Sequence, residues 1–236
     1  QSGNRMLFTQ SGVNTDIQTQ QANPIESNVF DFLKKYRLDL QKNLVLDSKC
    51  GNVQVRQSVG LFSMNRAVQY PFFPIVDSFN IYDTLSNIIV NNLEQVLPLF
   101  PSEIIIDTLQ NDEVKNVVHL FKSSNNSGKM ESNFMLSPDP QQNPFLKMLG
   151  QDGKILAASS RLSNNGELML LSDSKFLSDE GGMSIPDNVV FLMNAVDYLA
   201  GDKDLISLRS REITSRPLDI LQLPDNVRAS MTQEEI

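Results

Sequence analysis

Cys50 and His119 are the single thiol and single imidazole in the chain, and together they are the natural pair from which to build a nucleophile and its base. A cysteine hydrolase needs a thiolate, a neighbouring base and an oxyanion hole. Lys49-Cys50-Gly51 has no glycine before it and no helical pattern after it, so it does not read as a nucleophile on a strand-to-helix elbow. His119 lies between Val118 and Leu120 in a strand-like run and is expected to fill a structural position. No catalytic residue is predicted, and a hydrolase relic using Cys50 is the alternative. One cysteine and one histidine cannot supply a zinc site of the usual kinds. Asp173, Asp179 and Glu180, like Asp202 and Asp204, lack the spacing of a calcium loop and read as solvated loop carboxylates. Neither G-x-x-x-x-G-K-[ST] nor G-x-G-x-x-G occurs, so no nucleotide site is read, and no metal and no cofactor is expected.

Binding is the better prospect. Asp47-Ser48-Lys49, Ser123-Ser124-Asn125-Asn126 and Asp173-Ser174-Lys175 each follow a strand-like run, and open α/β sheets place ligands beyond the carboxyl ends of their strands. If these turns converge, Ser123, Ser124, Asp173 and Ser174 would suit a polar ligand such as a sugar or a peptide. Solvated surface turns are the plainer alternative. Arg209, Arg211 and Arg216 form a second candidate site. They would either pair with nearby carboxylates such as Glu212 or reach a partner subunit through directed guanidinium bonds.

The elements that must position these groups follow from pattern. Arg5–Thr9 reads as a strand and Ser11–Ala22 as an exposed polar loop. Asn23-Pro24 opens a helix with Ile25, Val29, Phe32, Leu33 and Tyr36 on one face. Leu44–Asp47 completes a strand–helix–strand rhythm. Val53–Tyr70 suits a hairpin, Pro71–Pro74 breaks regular structure, and Thr84–Asn92 suits a short helix. Ile104–Ile106 and Lys115–Lys122 read as strands, and Ser132–Gly153 is irregular apart from a turn at Phe145–Leu149. The Asn165-Gly166 turn marks a hairpin between Lys154–Leu162 and Glu167–Ser172. A helix over Asn188–Ala200 follows, with a capping-box-like start at Ser184 and a left-handed stop at Gly201. Its predicted core face holds Val189, Leu192, Met193, Val196, Leu199 and Ala200, with Phe191, Ala195 and Tyr198 making the other side apolar as well.

With 236 residues the chain can bury a substantial core, and we read it as one domain over residues 1–236. The expected fold is α/β: a mainly parallel, flavodoxin-like open sheet, helices on both faces, and an antiparallel edge hairpin. A net charge of −8 excludes a general nucleic-acid binder and a surface held to anionic lipid by basic residues. No apolar run is long enough to span a bilayer. The abrupt first strand and the polar ending Met231–Ile236 suggest a piece of a longer polypeptide.

Asp187-Asn188-Val189-Val190-Phe191-Leu192-Met193-Asn194-Ala195-Val196-Asp197-Tyr198-Leu199-Ala200-Gly201-Asp202, followed by Leu208-Arg209-Ser210-Arg211, resembles the auxiliary component of ABC-type transport systems associated with gliding motility. In that family a Gly-Asp-Ser-like turn precedes the helix; here Ser172-Asp173-Ser174 stands in its place. Asn28–Tyr36 and Asn43–Asp47 continue the resemblance more weakly. It implies a distant amidotransferase-like fold and a periplasmic or extracytoplasmic domain at the inner membrane, tethered by flanking segments. The implied partners are an ABC transporter membrane subunit or another envelope protein.

Overall fold

A computed structural model describes residues 3–59, 62–80, 83, 88–90, 93–108, 112–139, 141–179 and 181–202. Its main element is a six-stranded sheet. The strands β1 (Arg5–Thr9), β12 (Glu167–Leu171), β11 (Ile155–Leu162), β8 (Ile104–Ile106) and β4 (Leu38–Leu40) follow one another across it, and β9 (Val114–Lys122) also pairs with β11. Three two-stranded sheets accompany it. These are β2 (Val13–Asp16) with β3 (Gln21–Pro24), β5 (Leu44–Asp47) with β10 (Ser127–Met130), and β6 (Cys50–Val59) with β7 (Phe62–Pro74).

This corrects the expected mainly parallel, flavodoxin-like or glutamine-amidotransferase-like sheet. Among the described residues β1 and β12 are the one parallel pair, from Arg5↔Glu167 to Thr9↔Leu171, and the other pairings are antiparallel. Helix α1 (Val29–Lys35) has seven residues, about 10 Å of rise, and follows the β2–β3 hairpin on the path from β1 to β4. Arg37 then adopts a left-handed φ of 64° and turns the chain directly into β4, which pairs antiparallel with β8 instead of returning beside β1. β5 likewise leaves the main sheet to pair antiparallel with β10.

The Asn165-Gly166 hairpin forms, with Asn165 at φ 65° and Ala157↔Leu171 to Arg161↔Glu167 in register. Ser11–Ala22 is not a loop, because it contains β2 and the start of β3, and Val13 is buried. The Pro71–Pro74 segment does not break β7; Phe72 is buried within it.

Helix α2 (Pro186–Ala200) ends on Gly201 at φ 89°, as its glycine predicts. Its orientation differs from the expectation. Asn188, Phe191, Asn194 and Ala195 are buried, while Met193 and Val196 are 46% and 50% exposed. The two asparagines decide this. Asn188 Oδ1 accepts from Leu97 N at 2.8 Å and its Nδ2 donates to Leu97 O at 2.9 Å; Asn194 Nδ2 donates to Ile89 O at 3.0 Å. Buried backbone of the 88–97 segment needs such partners, so the polar side turns inward. Ser184 caps nothing; its hydroxyl donates to Gly181 O.

Alternate residues of β12 point to opposite faces. Met169 and Leu171 pack with Phe121, Phe176 and Phe191 beneath α2, and Leu168 and Leu170 with Leu33 beneath α1. A third cluster, Tyr70, Phe72, Phe100 and Leu136, holds the base of the β6–β7 hairpin.

Candidate functional site

Two of the three strand-end turns meet. Asp47, fully buried at the end of β5, accepts from Ser124 N at 2.6 Å, Ser124 Oγ at 2.6 Å and Lys49 N at 2.9 Å. Ser123 exchanges bonds with Lys154: its Oγ accepts Lys154 N at 2.8 Å and its N donates to Lys154 O at 2.9 Å. Lys49 pairs with Asp77, and that contact holds the Asp77 carboxyl below the ordinary range. These groups fasten loops to one another.

The third turn has other neighbours. Asp173 caps a short 3-10 turn over Ser174–Leu177, accepting from Leu99 N at 2.7 Å and Lys175 N at 2.8 Å. Burial pushes its carboxyl up to about 7, against the opposing pull of those N–H bonds and of Lys175. Ser174 N donates to Ser11 Oγ at 2.9 Å, and the two hydroxyls lie 3.0 Å apart. Lys175 Nζ donates to Thr15 O at 2.7 Å and lies 5.1 Å from the centre of the Phe100 ring; burial pulls its pKa down. Asp173 and Ser174 are thus joined to the first hairpin and to the 97–100 segment. Arg209, Arg211 and Arg216 lie outside the described residues.

Cys50 and His119 stand on different sheets. Cys50, 8% exposed, lies opposite Pro74 at the base of the β6–β7 hairpin, and burial pushes its thiol up, away from the reactive thiolate. His119 lies opposite Ala158 in the main sheet, and burial pulls its imidazole down.

Beside Cys50 opens a cleft of about 1130 Å³, above the usual span of small-molecule pockets. It is lined by the middle of the β6–β7 hairpin, by the turn at Ser48 and Cys50, and by the segment from Ser137 to Leu149. The walls are tied to each other. Tyr70 Oη donates to Leu136 O at 2.6 Å, and Asn143 Nδ2 holds Met135 O and Ser137 O at 2.5 and 3.1 Å. Arg56, Arg66 and Lys147 bring positive charge to it, and Gln69, Gln141 and Gln142 bring amides; Asp139 is its one acidic lining residue. The sequence reading overlooked all seven. A usable signal was present: from Ser48 to Val76 the chain carries Lys49, Arg56 and Arg66 and no aspartate or glutamate, although its net charge is −8.

Among curated proteins, an uncharacterized protein of Borreliella burgdorferi is 24% identical over 205 residues, covering 82% of this chain. The chain spans about two fifths of that relative's length, 39%. A family profile described as an ABC-type uncharacterized transport system matches residues 1–195. That match takes in the Asp47, Ser124 and Asp173 turns, the whole cleft and the first ten residues of α2, and it makes this chain a member of the ABC transport auxiliary family.

Proposed function

We propose that this domain is a non-catalytic accessory component of an ABC-type transport system, acting by binding a partner subunit or a polar ligand. The observation that carries the binding role is the fate of its polar side chains. Asp47, Ser123, Ser124, Asp173 and Ser174 have polar atoms engaged with the chain's own groups, while Arg66, Gln69, Gln141 and Lys147 of the cleft are exposed. The family match supports the transport context. The domain would stand at the periplasmic or extracytoplasmic face of the inner membrane, its partner being the transporter's membrane subunit or another envelope protein. A gliding-motility role belongs to this proposal through the α2 motif alone.

The test is co-purification of the full-length protein with the membrane subunit encoded beside it, together with protease access from the periplasmic side. Recovery of the complex and periplasmic cleavage are expected. Absence of both the complex and the periplasmic cleavage would overturn the proposal. A Cys50→Ala variant that lost a measurable turnover would replace it with the hydrolase alternative.

A further inference from the structure

We infer that two copies of this chain join edge to edge through β1, making one continuous sheet of their two main sheets, with the α2 helices side by side on one face. The inference stands apart from the binding role proposed above. The first observation is the direction of the β1 backbone. Asn4 O accepts from Glu167 N and Gln10 N donates to Leu171 O. With the parallel register from Arg5↔Glu167 to Thr9↔Leu171, the even-numbered residues therefore turn their N–H and C=O groups toward β12. The backbone groups of Arg5, Leu7 and Thr9 point away from the sheet, and among the described residues β1 pairs with β12 alone. An unpaired edge is a template for one more strand.

The second observation is the flank of α2. This helix packs along β1, and the Arg5 guanidinium donates to Leu199 O in its last turn. The side of α2 carrying Asn194 is turned to Ile89, which clusters with Leu156 and Ala157 of β11, inside the sheet. The opposite side carries Val189, Leu192, Val196 and Leu199, whose spacing of three, four and three residues is that of a seam between two helices. Val196 is 50% exposed and Met193 beside it 46%, although a helix apolar on every side belongs in an interior.

Self-complementarity selects a second copy as the occupant. Antiparallel pairing of β1 with its copy about Leu7 sets Leu7 opposite Leu7, and Arg5 opposite Thr9 of the second copy. The outward backbone groups are then satisfied, and no two arginines face each other. Met6, 42% exposed on the other face of the sheet, comes against Phe8 of the second copy. The two-fold axis through Leu7 stands perpendicular to the sheet, so it brings both α2 flanks to the same face, antiparallel. A strand from an unrelated protein would satisfy the edge but not the helix flank. A membrane surface fits less well, because α2 carries Asp187 and Asp197 and no lysine or arginine.

Sedimentation equilibrium of the full chain tests this, with backbone amide exchange as the second readout. A dimer with a Kd of about 10 μM or tighter is expected, with exchange at Arg5, Leu7 and Thr9 slowing as the dimer forms. Proline is tolerated on an edge strand where its missing N–H would face outward. Thr9→Pro should therefore keep the circular dichroism of the chain and weaken association about tenfold or more, as should Val196→Glu in the helix seam. Charge reads the register: Thr9→Glu, facing Arg5 of the second copy, should tighten the dimer about twofold or more, and Thr9→Lys should loosen it. A monomer at every concentration, a dimer indifferent to both Thr9→Pro and Val196→Glu, or equal effects of Thr9→Glu and Thr9→Lys would overturn the inference. So would slow exchange at Arg5, Leu7 and Thr9 that persists in a monomeric Val196→Glu variant, the mark of an edge covered within one chain. Each of these outcomes leaves the accessory role intact. Failure to recover the membrane subunit counts against that role and not against the dimer.

Discussion

The turn at the end of β5 and the edge of β7 border the same cleft, and they treat polar groups in opposite ways. At the turn, Asp47 is fully buried and its two oxygens take three bonds from Lys49 and Ser124. At the edge, Arg66 and Gln69 are exposed, and the strand they belong to pairs on one side only. Residues of similar polarity thus hold the architecture together in one place and face outward in the other. Burial makes the difference: a buried polar group must be satisfied internally, while an exposed one stays available.

The same rule can be tested at a second fully buried carboxylate, away from that cleft. Asp173 titrates near 7 in the native chain and near the ordinary 3.8 when unfolded. Between those values the native chain keeps a proton the unfolded chain has released, so stability should fall as pH rises, by about 1.4 kcal/mol per pH unit at most. Urea unfolding from pH 4 to 8 should show this fall, and Asp173→Asn should flatten it. An unchanged slope would mean that the N–H bonds from Leu99 and Lys175 outweigh desolvation.

Next in size is Asp47→Ala, which strands the Ser124 and Lys49 donors and should cost about 3 kcal/mol by urea unfolding at fixed pH. A cost near zero would erase the distinction between the turn and the edge. Asn188→Ala removes both bonds to Leu97 from the buried face of α2 and should cost about 2 kcal/mol in the same assay. The smallest effects should come from the open side. Arg66→Gln and Gln69→Ala are expected to shift stability by no more than about 0.5 kcal/mol. A larger loss would show that the edge is already part of the folded framework.

Where local chemistry decides structure, the sequence was readable. Asn165-Gly166 sets the β11–β12 hairpin and Gly201 ends α2, and both appear in place. The buried face of α2 was misread because Asn188 and Asn194 count as polar by composition, whereas the fold uses them to satisfy the backbone at Leu97 and Ile89. The sheet was misread because strand–helix–strand order was taken to mean parallel neighbours, whereas β4 pairs antiparallel with β8 and β5 antiparallel with β10. For the site, all three strand-end turns were expected to converge; the Asp47 and Ser124 turns meet, whereas the Asp173 turn packs against Ser11 and Leu99. The cleft was not expected, because its two walls are brought together by Tyr70 and Leu136, 66 residues apart. No pattern within either segment announces that contact.

The β1–β12 pair has a mechanical consequence. β1 begins at Arg5, opposite the first residue of β12, and the Arg5 guanidinium reaches Leu199 O at 3.3 Å near the last turn of α2. The two ends of this stretch of chain therefore emerge side by side. Tension drawn between them would act first on the contact between Arg5 and the last turn of α2. Once α2 came away, the force would reach β12 through Leu171, the end of the parallel pair opposite Arg5, and load its rungs together.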